Sequence, residues 1–289
     1  MNIIFQINGG IGKCIMATAV CASIKIKYPE CQLIVISGYP DVFLGNKNVD
    51  RAFTFGYHPY FFKEYVENKE FLFLGHDPYL ETKHLNREEH LIETWCKMFD
   101  LPVSSLKGEL FLNQREIDFY SNKYSSDKPI FLLQTNGGAE NDIKYSWARD
   151  MPSHIAKAVI TEFSEQYNIV HIKRDDQPDY ANTNPISDNA RALFVLVMLS
   201  QKSLLIDSFA QHTAAALDKS STVLWICNSP KVFGYEGHTN IVSNEETVIP
   251  ELRNAFLSKY NISGEPVEFP YNNETEMFDL PKIIESLKK

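Results

Sequence analysis

Short, uninterrupted apolar runs recur along this chain, and most are followed by a longer segment of helical periodicity. In the first half NIIFQI, QLIVIS, RAFTF, EFLFLG and GELFL read as strands, while IGKCIMATAVCASIKIKY and NREEHLIETWCKMF read as helices. Asn86, with Glu89 three residues on, has the pattern of a capping box for the second helix. Strands that are apolar along their whole length belong in a parallel sheet covered on both faces. The pattern restarts after KYSSDKP, a polar stretch ending in Pro129 that is the linker candidate. There PIFLLQT, NIVHI, SLLIDS and STVLWIC are strands, with MPSHIAKAVITEFSEQY, DNARALFVLVMLSQ and AQHTAAALD as helices between them. In the tail ETVIPELRNAFLSKY reads as partly helical and FDLPKIIESLKK as a terminal helix. The expected fold is α/β: two Rossmann-like, doubly wound parallel-sheet domains, residues 1–124 and 125–289, facing a cleft. The terminal helix is free to return to the first domain. Ligands of such sheets bind beyond the carboxyl ends of the strands.

Composition narrows the partners. A formal net charge of -9 argues against a broad nucleic-acid surface, although it leaves room for a local anion site. Five cysteines without metal-like spacing fit a reducing compartment, with Cys14 and Cys21 as small core residues. No run approaches the ~18 apolar residues of a transmembrane segment, and MNIIFQING lacks the form of a signal peptide. A soluble, cytoplasmic protein is expected.

The stretch NGGIGKC, Asn8 to Cys14, places three glycines and a lysine between a strand and a helix, where phosphates bind. It is not a P-loop, because Ile7 stands at the first glycine position and Cys14 where Ser or Thr would hold magnesium. It is a poor dinucleotide fingerprint as well. Gly10 and Gly12 fit, but Ile15 replaces the third glycine and no acidic residue ends QLIVIS. A tight turn with no ligand explains the same glycines. In the second half, LLIDSFAQHTAAAL ends a buried strand at Ile206, turns at Asp207 and Ser208, and starts a helix whose first amides would face the cleft. Asp207 as a plain helix cap and His212 as a core residue is the alternative reading.

Three stretches in order, GGIGKCIMATAVCASIKIKYPECQLIVIS with GNKNVDRAF, then KYSW, then DSFAQHTAAAL, resemble the family 9 glycosyltransferases, which are ADP-heptose heptosyltransferase-like enzymes of the two-Rossmann GT-B fold. The resemblance makes the first domain the acceptor side and the second the nucleotide-sugar side. It implies that Lys144 contacts the donor's phosphate or the transferred sugar. It also implies that Asp207, Ser208 and the amides from Phe209 onward hold the donor with His212 beside them. Gly9, Gly10 and Gly12 would let the first loop approach the cleft. Two positions depart from the family. Its opening glycine is usually followed by an aspartate that acts as general base, where this chain has Lys13, and Phe209 stands where glycine is common. An ammonium accepts no proton at neutral pH unless burial lowers its pKa by roughly 3 units from ~10.4, so Lys13 suits an anion better than a base.

Replacement bases lie at strand ends of the first domain: Asp77, past EFLFLG, with His76 beside it, or Asp41. Asp175 and Asp176, in HIKRDDQPDY, could accept hydrogen bonds from a ribose or simply be solvated charges. Ser229, with Pro230, Lys231 and Tyr235, follows STVLWIC and is placed to line a donor pocket. The expected function is an inverting, metal-independent glycosyltransferase. It would move a heptose or similar sugar from a nucleotide-diphosphate donor to a glycan or protein hydroxyl, with no cofactor and no metal site. The alternative is a catalytically degenerate nucleotide-sugar-binding protein of the same fold, which Lys13 favours.

Overall fold

A computed structural model describes residues 1–137, 146–252 and 268–289. The first sheet contains β1 (Asn2–Ile7), β2 (Gln32–Ser37), β3 (Arg51–Phe53) and β4 (Phe71–Leu74), all parallel, in the order β3-β2-β1-β4. Its helices are α1 (Ile11–Lys27), the short α2 (Phe61–Tyr65) and α3 (Thr82–Leu85), and α4 (Leu91–Met98). After α5 (Gln114–Lys123), the second unit alternates β5 (Ile130–Gln134), α6 (Ser153–Phe163), β6 (Asn168–Ile172), β7 (Asn184–Ile186), α7 (Ala190–Leu199), β8 (Lys202–Ile206), α8 (Phe209–Ala216), β9 (Thr222–Trp225), α9 (Pro230–Phe233) and β10 (Thr239–Val242). These six strands are also parallel, in the order β10-β9-β8-β5-β6-β7. The doubly wound pair of sheets expected from the apolar runs is therefore present.

Several elements differ from the sequence reading. GELFL forms no strand. A Cβ on Gly108 would lie 2.2 Å from the Ile15 carbonyl oxygen, so this glycine lets the segment cross directly over α1. There Glu109 N donates to Thr18 Oγ1 at 2.7 Å, a partner that a sheet neighbour would otherwise have supplied. Asn86 caps no helix start; it follows α3, while α4 begins five residues later under His90, whose Nδ1 accepts from Ile92 N at 3.3 Å. β7 and β10 sit at sheet edges, and β7 carries Pro185, which only an edge strand tolerates. The first sheet is buried on both faces at its central strands, with Ile4 and Ile34 on one face and Ile3, Phe5 and Leu33 on the other, and only edge strand β4 leaves Phe71 and Phe73 exposed. The helix at Leu280–Lys288 packs on β8 and β9 of the second sheet through Ile283 and Leu287, rather than returning to the first domain. Of ETVIPELRNAFLSKY, residues 253–260 lie outside the described residues, and Pro250–Leu252 form one tight turn.

The core does not stop at the domain boundary. One apolar cluster runs from Ile3, Phe5 and Trp95 through α1 to Phe194, Leu205, Ala210, Ala214 and Trp225 in the second unit. A second cluster fills the far face of the second sheet, around Phe131, Ile155 and Leu204. Arg191 of α7 fastens the seam. It is 7% exposed and donates to both oxygens of Glu116 at 2.8 and 2.7 Å, to Phe111 O at 2.6 Å and to Asp41 O at 3.3 Å. Those partners belong to α5, the crossing segment and the first domain, so one guanidinium joins three parts of the chain. Removing one partner of such a buried pair strands the other. Arg191→Ala should lower the free energy of unfolding by about 3–5 kcal/mol in urea denaturation. Arg191→Lys should recover only part of it, because an ammonium cannot bridge a carboxylate in two places.

Candidate functional site

Because every strand of each sheet is parallel, all carboxyl ends lie on one edge, and the helices that follow β1 and β8 start there. The first turns of α1 and α8 meet at Gly12. A Cβ added there would lie 2.7 Å from His212 Cδ2 and 3.5 Å from Phe209 Cα. Gly12 thus serves the packing of the two domains. Gly9 has φ +114°, a backbone that favours glycine, and a Cβ there would press on Lys13 Cδ at 3.0 Å. Gly10 faces open space and is exposed.

Neither helix start is closed by its own chain. Gly10 and Ser208 are the N-caps, neither makes a side-chain cap hydrogen bond, and neither first turn holds an acidic residue. Unsatisfied N-terminal amides carry partial positive charge, so two such ends in contact form a local anion-attracting field. Ser208 Oγ accepts from Gln134 Nε2 at 3.2 Å, which links the end of β5 to the start of α8.

Lys13 does bind an anion, and the anion is Asp77. Its Nζ lies 2.6 Å from Asp77 Oδ1, with the lysine side chain 3% exposed and the carboxylate 29%. The ammonium also sits 4.1 Å from the Tyr79 ring centre and 5.5 Å from that of Trp95, both favourable cation–π arrangements. Burial pulls the Lys13 ammonium below its ordinary value, and the Asp77 carboxylate opposes that shift. Asp77 Oδ1 additionally accepts from Tyr79 N at 3.0 Å, so both bonds fall on one oxygen. His76, its neighbour, is exposed. Tyr79 and Trp95, which set the environment of Lys13, gave no signal in the sequence.

In the second domain the structure reassigns several residues. Asp207 accepts from Asn228 Nδ2 and ties together the loops after β8 and β9. Burial pushes its carboxyl up, against the nearby Arg149 guanidinium and that hydrogen bond. Arg149 is exposed beside this edge, and its only sequence cue was its place just after KYSW. Phe209 opens α8 and packs into the shared core. His212 is buried and bonds through Nδ1 to Tyr235 Oη at 2.7 Å, so it belongs to the interface and not to a ligand-facing surface. Tyr235 is buried with it. Ser229 caps the turn of α9 by accepting from Lys231 N at 3.2 Å. Asp176 pairs with Arg174 at 3.0 Å through both oxygens, and Asp175 is exposed in the same turn. Lys144 lies outside the described residues. Among the described residues no group of three or more His, Cys, Asp or Glu is arranged to hold a metal ion, and no helix is long and apolar enough to cross a membrane.

Two measurements follow from the interface. Gly12→Ala should cost about 1–3 kcal/mol, because buried, hydrogen-bonded His212 cannot yield. In the Gly12→Ala/His212→Ala double variant the glycine's share should largely vanish, read as non-additivity in a double-mutant cycle. The interface also holds His84 and His90, both lowered to about 4, and His212, lowered to about 3, in each case chiefly by burial. Unfolded, each titrates near 6.5, so below that pH the unfolded chain binds more protons and stability falls as pH drops toward 4. Urea midpoints should be flat above about pH 7 and decline below about pH 6. His84→Gln should remove at most one proton's share of the slope, about 1.4 kcal/mol per pH unit.

No protein-family model matches the chain, nor does any curated protein sequence. Solved structures do. A family 9 glycosyl transferase from Veillonella parvula superposes with a TM-score of 0.67 at 12% identity, over 99% of this chain and 96% of its own. E. coli ADP-heptose lps heptosyltransferase II gives 0.64 at 15% identity, over 84% and 90%. E. coli heptosyltransferase WaaC, solved with ADP, gives 0.55 at 10% identity, over 84% and 94%. Identities this low speak to architecture alone. With its two parallel-sheet units, the chain has the GT-B, heptosyltransferase-like fold of these proteins.

Proposed function

We propose that this chain is a glycosyltransferase that holds a nucleoside-diphosphate sugar at the start of α8 and passes the sugar to an acceptor hydroxyl presented by the first domain. The observation that carries the reading is the meeting of two helix N-termini, uncapped by side chains and with no acidic residue in either first turn, at Gly12 on the carboxyl edges of both sheets. Charge builds on the diphosphate as the glycosidic bond breaks, and fixed amide dipoles stabilise it without reorganising. On this reading the amides carry that charge without a metal, and one direct attack by the acceptor hydroxyl inverts the anomeric carbon. In the family resemblance Lys144 would add its charge to that leaving group.

The base in this proposal is Asp77. Lys13 and the Tyr79 amide both engage Oδ1, which leaves Oδ2 to take the proton of an acceptor hydroxyl. Lys13 is then a positioning residue, fixing the carboxylate through Oδ1. The second reading, a nucleotide-sugar-binding protein without transfer, draws on the same pair. An ammonium occupies the usual base position and lies 2.6 Å from its substitute.

A thermal-shift panel of ADP, GDP, UDP and CDP tests the donor side, ADP first because one structural neighbour was solved with it. A ligand at 100 times its Kd should stabilise by about 2.7 kcal/mol. Response to none of the four would remove the transferase reading. With the matching nucleotide sugar, Asp77→Asn should slow diphosphate release by about 10²–10⁴-fold and leave the thermal shift in place. Binding without release in the unmutated chain would establish the non-transferring reading instead.

A further inference from the structure

Resting on the transferase reading, we propose that the exposed rings beyond the strands of the first sheet form the acceptor platform, and that the acceptor is an uncharged oligosaccharide. The run FTFGYHPYFF, residues 53–62, has six aromatic residues in ten and no Lys, Arg, Asp or Glu. Four of those rings face water: Phe55, Tyr57, Tyr60 and Phe62, with Tyr57 89% exposed. Tyr39, past β2, extends the surface and is also exposed. Soluble proteins seldom leave so many large rings of one short loop in water without a partner.

The position of these rings ties them to the site. Tyr39 and Phe55 each lie two residues past a strand end, on the same edge as Gly9, Gly10 and Asp77. Phe55 rests against Gly38, 3.9 Å from where that residue's Cβ would be. Ser37, one residue back, hydrogen-bonds Cys14, the neighbour of Lys13. The loop is braced from beneath, because Phe53 packs against Phe61 at 5.4 Å, Tyr65 at 5.9 Å and His58 at 4.9 Å. The rings are thus carried on a preformed support that leads to the carboxylate proposed to take the acceptor's proton. Four strands at ~4.8 Å spacing make this edge roughly 14 Å wide, the span of a di- or trisaccharide.

Charge selects the occupant. A pyranose has apolar C–H faces that lie on aromatic rings, and hydroxyls that tyrosine hydroxyls can meet. A phosphorylated or carboxylated acceptor would call for clustered Arg or Lys, whereas this run contains none and only the single exposed cations Arg51 and Lys63 flank it. An anionic bilayer surface is attracted by clustered basic residues, and a chain with a net charge of -9 is repelled by it.

The test uses saturation-transfer NMR on the full chain with maltotriose, cellotriose and chitotriose, beside glucose 6-phosphate. Vesicles of phosphatidylcholine and phosphatidylglycerol are assayed by co-sedimentation, and self-association by sedimentation velocity. At least one neutral trisaccharide should bind through its ring C–H protons. Tyr57→Ala and Phe55→Ala should each raise its Kd at least tenfold, with the melting temperature and the diphosphate-induced shift unchanged. Binding of none of the three, equal binding in both variants, or binding of the phosphosugar alone would overturn the proposal. So would vesicle pelleting or a dimer that Tyr57→Ala dissolves, which would assign the rings to a bilayer or to a second copy. Trisaccharide binding without any diphosphate response would sink the transferase reading while leaving the platform standing.

Discussion

The candidate site depends on one missing side chain. Gly12 has no Cβ, so α1 and α8 can cross in contact at their first turns and bring the carboxyl edges of two separate sheets onto one cleft. The arrangement has a cost. Two helix starts carry like partial charges, and placing them together is mildly repulsive. What holds them is apolar packing behind the crossing, where Cys14, Ile15, Ala210 and Ala214 are fully buried, with Arg191 joining α7 to the crossing segment and the first domain. The positive field is therefore fixed by the core, and an arriving anion finds its donors already oriented.

Lys13 and Asp77 show how a reversed charge can be absorbed locally. A lysine at the end of the first loop would be an unpaired buried cation without a partner from another strand. The loop after β4 supplies one, and the rings of Tyr79 and Trp95 complete the enclosure. The pair is neutral as a unit, so the anion-attracting character of the cleft rests on the backbone amides and on whatever side chains reach in from the second domain. The sequence offered Asp77 as a base with His76 beside it, and the turn at Pro78 directs only Asp77 toward Lys13.

The sheets were legible because buried parallel strands are written as unbroken apolar runs, and α1, α6 and α7 because their apolar residues continue far beyond the length of a strand. β7 and β10 escaped notice, one carrying a proline and the other reading as the polar stretch TNIV. GELFL misled because an apolar run says that a segment is buried, not what buries it. The same ambiguity governs the site. Gly12, Phe209 and His212 were singled out for a ligand and are found in the packing between the domains, because local pattern cannot say whether a small or polar residue at a helix start faces a ligand or a second helix. The Lys13–Asp77 bond joins residues 64 apart, a pairing that no periodicity reveals.

The apolar cluster that begins at Ile3 and Phe5 reaches Phe194 and Trp225 without interruption. Neither Rossmann unit would be whole by itself, since each would present half of that seam to water. Heat should then melt the chain as a single calorimetric body, with van't Hoff and calorimetric enthalpies equal, despite its two sheets. The seam also restricts how such a protein can breathe. Swinging the lobes apart would tear a continuous core, whereas the loops at the rim can rock open over a hub that stays closed.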